Sequence, residues 1–326
     1  MTVKASELLP AEELQSLRAK SNLAGAFLVL HAWALIGGSM ALFAWWPNPF
    51  TFLLGAMVIG GRQLGLAILM HDAAHGLLFA DRRLNEWAGT WLCAFPVFTS
   101  LALYRPYHLK HHRFTQQARD PDLGLSAPFP ISRASLRRKI LRDLSGRTAF
   151  QRRGDQVRRG LGPADAPLGT RLGRLWQAEH GPVTANLLLL LALSAAGYWW
   201  LYPVMWLVPL ATWYQLVSRI RNIAEHAVVP DNDDPLRNTR TTLANPLERL
   251  FIAPYGVNYH LEHHLFMFVP CWCLPQAHRA LARAGWRDRM ELRSGYRAVL
   301  RAATATKGGG KDGGSSSGPA HGMQHI

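Results

Sequence analysis

Long apolar stretches alternate along this chain with polar segments that hold nearly all of its charge. Between Lys20 and Arg62 lie 41 residues without Asp, Glu, Lys or Arg, broken only by the turn signal Trp46-Pro47-Asn48-Pro49. A bilayer-spanning helix needs about 20 apolar residues, so this stretch predicts two spans joined by a tight hairpin. A second charge-free stretch, 39 residues between Glu179 and Arg219, is interrupted at Tyr202-Pro203 and predicts two more spans. A third apolar run, Trp87 to Tyr104, has 18 residues and contains Pro96, Thr99 and Ser100. Taken alone, it fits a span, a re-entrant segment or an interfacial helix. Ser132 to Arg158 is rich in arginine and reads as helical, with a Gly/Pro-rich break over 160–169.

Charge then orients the hairpins. Neither hairpin tip carries Lys or Arg, and both carry Trp with Tyr or Phe, as an interfacial aromatic belt does. By the positive-inside rule the tips face outward, while both termini and the 105–178 segment are cytosolic. Charged residues are only 17% of the chain and the net charge is +15. The three cysteines come with no secretory leader, which excludes a disulfide scaffold. Arg outnumbers Lys 30 to 6, which points to GC-rich coding and a bacterial inner membrane. The expected fold is all-α: four transmembrane helices as two hairpins, plus a cytosolic helical cap. The expected order is an N-terminal cytosolic helix over 1–21, the membrane and cap domain over 22–285, a C-terminal helix over 286–304, and a disordered Gly/Ser-rich tail over 305–326. No nucleic-acid partner is expected.

The candidate chemistry lies in the histidines. Of 14 His, nine fall in four tight groups: His71 with His75, His108-His111-His112, His226, and His260-His263-His264. Residues three and four apart share a helix face, so His71 and His75 point one way and each H-x-x-H-H triplet spreads over about 100° of its helix. Asn222 and His226 form another i, i+4 pair. Neutral imidazole suits Zn, Cu, Fe and Ni, and nine rings exceed what one ion takes, so two ions are implied. No Cys lies within these groups, which argues against structural zinc. A single H-x-x-x-H reads equally well as interfacial polarity; the repetition here does not.

The histidines also constrain topology. His71, His75 and His226 lie at cytosolic ends of spans. Were Trp87–Tyr104 to cross the membrane, His108–His112 would stand on the far side from them. That run is therefore expected to be a bent helix that dips and returns or lies on the surface, packed against the spans because lipid-exposed irregular backbone is too costly.

With these boxes in order and at this hydrophobic spacing, the chain from about 25 to 285 resembles the membrane fatty acid desaturase superfamily. The resemblance implies two irons on the cytosolic face, held by His71, His75, His108, His111, His112, His226, His260, His263 and His264. It further implies that Asn222 reaches the second iron through water. O₂ is then a co-substrate, and the activity is desaturation of a fatty-acyl or lipid chain. The third box opens with His260 rather than the Gln of many front-end desaturases. There is no haem motif and no room for a fused cytochrome b5 domain. Carotenoid ketolases and hydroxylases of the same superfamily are the nearest alternative; they are usually shorter, and the long 113–178 segment speaks against them. A non-catalytic membrane metal-binding or transport protein is a further alternative, disfavoured because transporters place ionisable groups near the bilayer midplane.

Metal-bound histidine usually donates its second N–H to a carboxylate or carbonyl. The candidates are Glu262, Asp72, Glu225, Asp120 and Asp122, with Glu262 expected to orient a ring on another helix. Arg62 lies inside a span, where an ionisable group is a functional candidate by default. With Phe95, Phe98, Trp213 and Tyr214 it forms the candidate substrate lining. His278, His321 and His325 read as solvated. The chain has no dinucleotide motif and no iron–sulfur cysteine set, so a separate ferredoxin, rubredoxin or cytochrome b5 must supply electrons. Arg137, Arg138, Lys139, Arg152 and Arg153 are candidates to attract such an acidic carrier or anionic lipid headgroups.

Overall fold

The computed structural model describes residues 3–305. The expected tail therefore lies almost wholly outside the described residues, as do His321 and His325. The fold is mostly helical, with one pair of two-residue strands, so the all-α expectation needs only that amendment. The chain divides into two compact units. Among the described residues, one gathers those up to Lys20, Arg105–Lys139 and those from Arg219 onward; the other gathers Ser21–Tyr104 and Ile140–Ser218.

The second unit contains the predicted first hairpin. Helix α1 (Asn22–Trp45) starts where the Ser21 hydroxyl accepts from the Ala24 N–H. Helix α2 (Pro49–Ala74) starts with a reciprocal cap: Asn48 accepts from the Phe50 and Thr51 backbone, and the Asn48 N–H donates to the Thr51 hydroxyl. Proline at the first helical position suits this start because its missing N–H needs no partner there. Both helices are long and apolar enough to cross a membrane, and among the described residues they are the two single helices that are. Their burial differs. Only 22% of the apolar window of α1 is buried, against 78% for α2. Thus α1 offers one stripe, Val29, Ala32, Ile36 and Met40, to the protein, while α2 is the central helix of this unit. Trp33 of α1 stacks on Trp206 with ring centroids 5.6 Å apart.

The third apolar run breaks. Helix α3 (Arg82–Ala88) passes into a π-helical turn over Gly89–Ala94 and a 3₁₀ turn over Phe95–Val97. Phe98 then takes a left-handed conformation, φ 57°, and the chain bends by 93° into helix α4 (Leu101–Phe114). The expected bent helix is present. The arginine-rich segment is two helices, α5 (Arg133–Leu144) and α6 (Arg147–Leu161), parted at Gly146. The predicted break over 160–169 is shorter, since helix α7 (Leu168–Ala195) already includes Gly169. Arg152 donates to Gln215, and Arg153 pairs with Glu179 at 2.8 Å. These two arginines are therefore tied within the unit rather than free.

The second charge-free stretch is divided among α7, a π-helical turn over Tyr202–Leu207, the short Val208–Ala211 helix and helix α8 (Trp213–His226). Polar Glu179, His180 and Asn186 dilute the apolar run of α7, and the return is fragmented. Asn186 donates to Phe95, Pro96 and Pro182 carbonyls and accepts from Tyr202 and Trp206. A buried amide so placed satisfies the irregular turns around it, which burial would otherwise penalise.

In the first unit, strand β1 (Thr241–Thr242) pairs in parallel with β2 (Leu292–Arg293). Between them lie helix α9 (His260–Leu265) and helix α10 (Leu274–Arg283). Arg240, only 1% exposed, donates to the Ala224 and Val228 carbonyls and to Glu291. It caps the C-terminal end of α8, whose last carbonyls have no helical partner.

Candidate metal centre

Within the first unit, seven rings from three helices converge into two sets. His111 of α4, His226 of α8, and His260 and His264 of α9 bring one ring nitrogen each to within 4.8 Å of one another. The Nε2 atoms of His226 and His260 are 2.8 Å apart, and those of His260 and His264 are 3.0 Å apart. In the other set, Nε2 of His112 lies 2.9 Å from Nε2 of His108 and 2.9 Å from Nε2 of His263.

The two H-x-x-H-H boxes therefore cross-feed. In each, the first and last rings go to one set and the middle ring to the other. Helix geometry explains this: residues four apart differ by about 40°, whereas the third and fourth differ by about 100°. The boxes were expected to present one face each; each presents two.

The donor chemistry fits metal ions. His260 turns Nδ1 toward Glu225 at 3.4 Å, and His264 turns Nδ1 toward the Thr115 hydroxyl at 3.2 Å. With the proton on Nδ1 of each ring, their Nε2 atoms are lone pairs facing each other, an arrangement that an electrophile between them satisfies. A separation near 3 Å is what two nitrogens about 2.1 Å from one ion at roughly a right angle would show. Burial, and then the neighbouring positive groups, hold His226, His260 and His264 well below the usual imidazole range. Neutral rings are the ligating form.

Carboxylates meet the outer nitrogens. Burial pulls the His111 ring down, but its hydrogen bond to Asp120 at 2.8 Å and the charges of Asp122, Asp120 and Glu225 lift it overall. Asp120 also accepts from the Gln116 and Asp122 backbone N–H groups. Asp122 lies 3.7 Å from His111 and accepts from Tyr107. Burial pushes the Glu225 carboxyl up to about 7, against the pull of Arg221 at 2.6 Å. Asp120 and Asp122 thus stand against the His111 ring, and Glu225 against His260.

Glu262 does not meet a ring of either set. Its carboxylate, fully buried, lies 2.6 Å from Nδ1 of His278 on α10 and accepts from Thr241. The physical reason is its helical angle, about 200° from His260 and His264, which turns it away from both sets. His278, expected to be solvated, is the partner that the sequence reading missed. Thr115, Gln116, Arg221 and Arg240 were missed as well; only the i+4 spacing of Thr115 from His111 hints at a contact.

In the second unit, His71 and His75 close α2 with rings 5.1 Å apart. His71 lies 3.6 Å from the buried Asp72 and packs near Tyr104. Asn222 sits one turn before His226 on α8. Arg62 is buried in α2. The candidate lining residues are placed by packing. Phe95 fills the space at Gly181, where a Cβ would come within 2.3 Å of its ring, and Trp213 lies against Gly60. Phe98 has the Arg153 guanidinium 5.0 Å over its ring and its carbonyl bonded to Gln156. Tyr214 is buried at the start of α8.

Known proteins place this arrangement. One similar protein is the dihydrorhizobitoxine desaturase of Bradyrhizobium elkanii, 27% identical over 280 residues, 82% of this chain and 78% of that one. A second is the beta-carotene ketolase of Paracoccus sp. (strain PC1), 27% identical over 263 residues, 79% of this chain and 90% of that one. The sequence profile described as fatty acid desaturase matches residues 43–294. The chain is an oxidoreductase and belongs to the fatty acid desaturase family.

Proposed function

We propose that this protein is an O₂-dependent di-iron desaturase that introduces a double bond into a fatty-acyl or lipid chain. The observation that carries the reading is the presence of two separate nitrogen-only sets built from the same two histidine boxes. One iron takes His111, His226, His260 and His264, with Asn222 through water. The other takes His108, His112 and His263, joined by His71 and His75 from the end of α2. When bound, the irons supply the oxidising power that removes hydrogen from unactivated carbon. The overall balance is –CH₂–CH₂– plus O₂, two electrons and two protons, giving –CH=CH– and two waters.

The chain's own groups do the positioning. Asp120 fixes the His111 ring, and Glu225, held by Arg221, faces His260. The apolar substrate chain lies among Phe95, Phe98, Trp213, Tyr214 and Arg62, since ligand sites in bundles commonly form between helices. We assign four spans, the two hairpins, in a bacterial inner membrane, with the histidine sets on the cytosolic face. A separate ferredoxin, rubredoxin or cytochrome b5 delivers electrons there.

The alternative outcome is oxygenation of a carotenoid-like substrate, favoured by the ketolase relative that is matched over 90% of its length. Membranes containing the protein, a reductase system and its carrier, labelled acyl lipids and ¹⁸O₂ distinguish the two. A product two hydrogens lighter without added oxygen is expected. A product carrying ¹⁸O, or turnover of carotenoids alone, overturns the desaturase reading.

A further inference from the structure

We infer that the turn following the second histidine box, residues 115–122, is the positioning element for one iron only, with Thr115 setting the His264 ring and Gln116 the backbone of His226. This rests on the di-iron reading above.

Four contacts from this turn reach three ligands of the same set. The Thr115 hydroxyl donates to the His111 carbonyl at 3.0 Å and lies 3.2 Å from Nδ1 of His264. A hydroxyl has one proton. With that proton on the His111 carbonyl, the oxygen accepts from His264 Nδ1–H. That fixes the His264 tautomer and leaves its Nε2 lone pair toward the set. The Gln116 side chain donates to the His226 carbonyl at 2.6 Å. Its carbonyl oxygen accepts from Ser126, and its own backbone N–H donates to Asp120. Asp120 in turn holds His111.

Gln116 has a left-handed backbone, φ 61°, a conformation that costs energy for a residue with a Cβ and persists only when its surroundings over-determine it. Thr115 is 8% exposed and so is Gln116, so water does not substitute for either contact. Ring orientation by such outer hydrogen bonds typically controls metal affinity by 10- to 100-fold. Of the other set, Thr115 meets the His112 carbonyl at 3.2 Å rather than a ring. The ring contacts of the turn thus gather on one iron's ligands.

Metal-free full-length protein in detergent, titrated anaerobically with ⁵⁷Fe²⁺, tests this through iron bound per chain and Mössbauer spectra. Wild type, Thr115→Val, Thr115→Ser and Gln116→Met are compared. Wild type that binds fewer than about two irons overturns the di-iron reading itself. With wild type at two, Thr115→Val and Gln116→Met are expected to bind one iron as wild type does and the other about 10- to 100-fold more weakly. Thr115→Ser restores both. The inference is overturned if the Val variant binds both irons with wild-type affinity, if it weakens both alike, or if Ser behaves as Val does. Circular dichroism of the metal-free variants is expected to match wild type; if neither Thr115→Val nor Gln116→Met folds, the turn is a folding element and the inference fails.

Discussion

Glu262 and His278 form a buried carboxylate–imidazole pair, 2.6 Å apart, on the side of α9 opposite His260 and His264. The pair ties the ligand-bearing helix α9 to α10 without touching either set of metal-facing rings. Removing one partner leaves a buried carboxylate underbonded, at a cost of about 1–3 kcal/mol. His278→Ala is therefore expected to lower the thermal midpoint while iron content at low temperature stays at the wild-type level. Loss of iron without loss of stability would return Glu262 to the role of orienting a ligand.

Asp120 should behave differently. It holds His111 and closes the Gln116 turn with three hydrogen bonds. Asp120→Ala is expected to weaken iron binding at one site about 10- to 100-fold and to lower turnover in step. Anaerobic iron titration beside an acyl-lipid assay measures both. Unchanged iron affinity would remove Asp120 from the site.

Cross-feeding of the boxes predicts an asymmetry. His111→Ala and His263→Ala each remove the middle ring of a box, yet they deplete opposite sets. Each is expected to abolish desaturation. Their residual ⁵⁷Fe Mössbauer spectra should differ, because a different iron remains. Identical residual spectra would mean that the rings do not partition as the Nε2 distances indicate. His71→Ala is expected to resemble His263→Ala.

On α5, Arg137 and Arg138 are exposed, unlike Arg152 and Arg153, which are held by Gln215 and Glu179. Reversing Arg137 and Arg138 to Glu is expected to slow turnover with an acidic carrier at low salt and to matter less at high salt, where screening shortens the reach of charge to about 3 Å at 1 M. The matching reversal of Arg152 and Arg153 should instead destabilise the fold. A rate effect independent of salt would argue against carrier steering.

Much of this arrangement was legible in the residues. The first hairpin follows from a charge-free run and an Asn-Pro cap, both local signals. The four histidine groups follow from i, i+3 and i+4 spacing. The assignment of rings to sets was not legible, because periodicity gives a ring's angle on its own helix and says nothing about which neighbour lies there. Glu262 shows the same limit. Its angle away from His260 and His264 was readable, but His278 and Thr241, 16 and 21 residues away, were not. Thr115 and Gln116 carry no motif at all; a hydroxyl and an amide acquire their roles only when α4, α8 and α9 meet. The second charge-free stretch was readable as apolar but not as fragmented, since the π-helical turn over Tyr202–Leu207 meets Asn186 through the Tyr202 hydroxyl and the Trp206 indole, contacts that periodicity does not give.

The rings of both sets supply nitrogen and no charge. Two divalent ions held by such imidazoles would bring their full positive charge into a buried place, and Asp120, Asp122 and Glu225 stand behind rings of the set that contains His111 and His260. These carboxylates, with Glu225 already paired to Arg221, offset part of that charge without touching metal. Since outer hydrogen bonds and charges tune a metal's redox potential, the oxidising strength of such a centre can be adjusted by exchanging those carboxylates while every ligand stays in place.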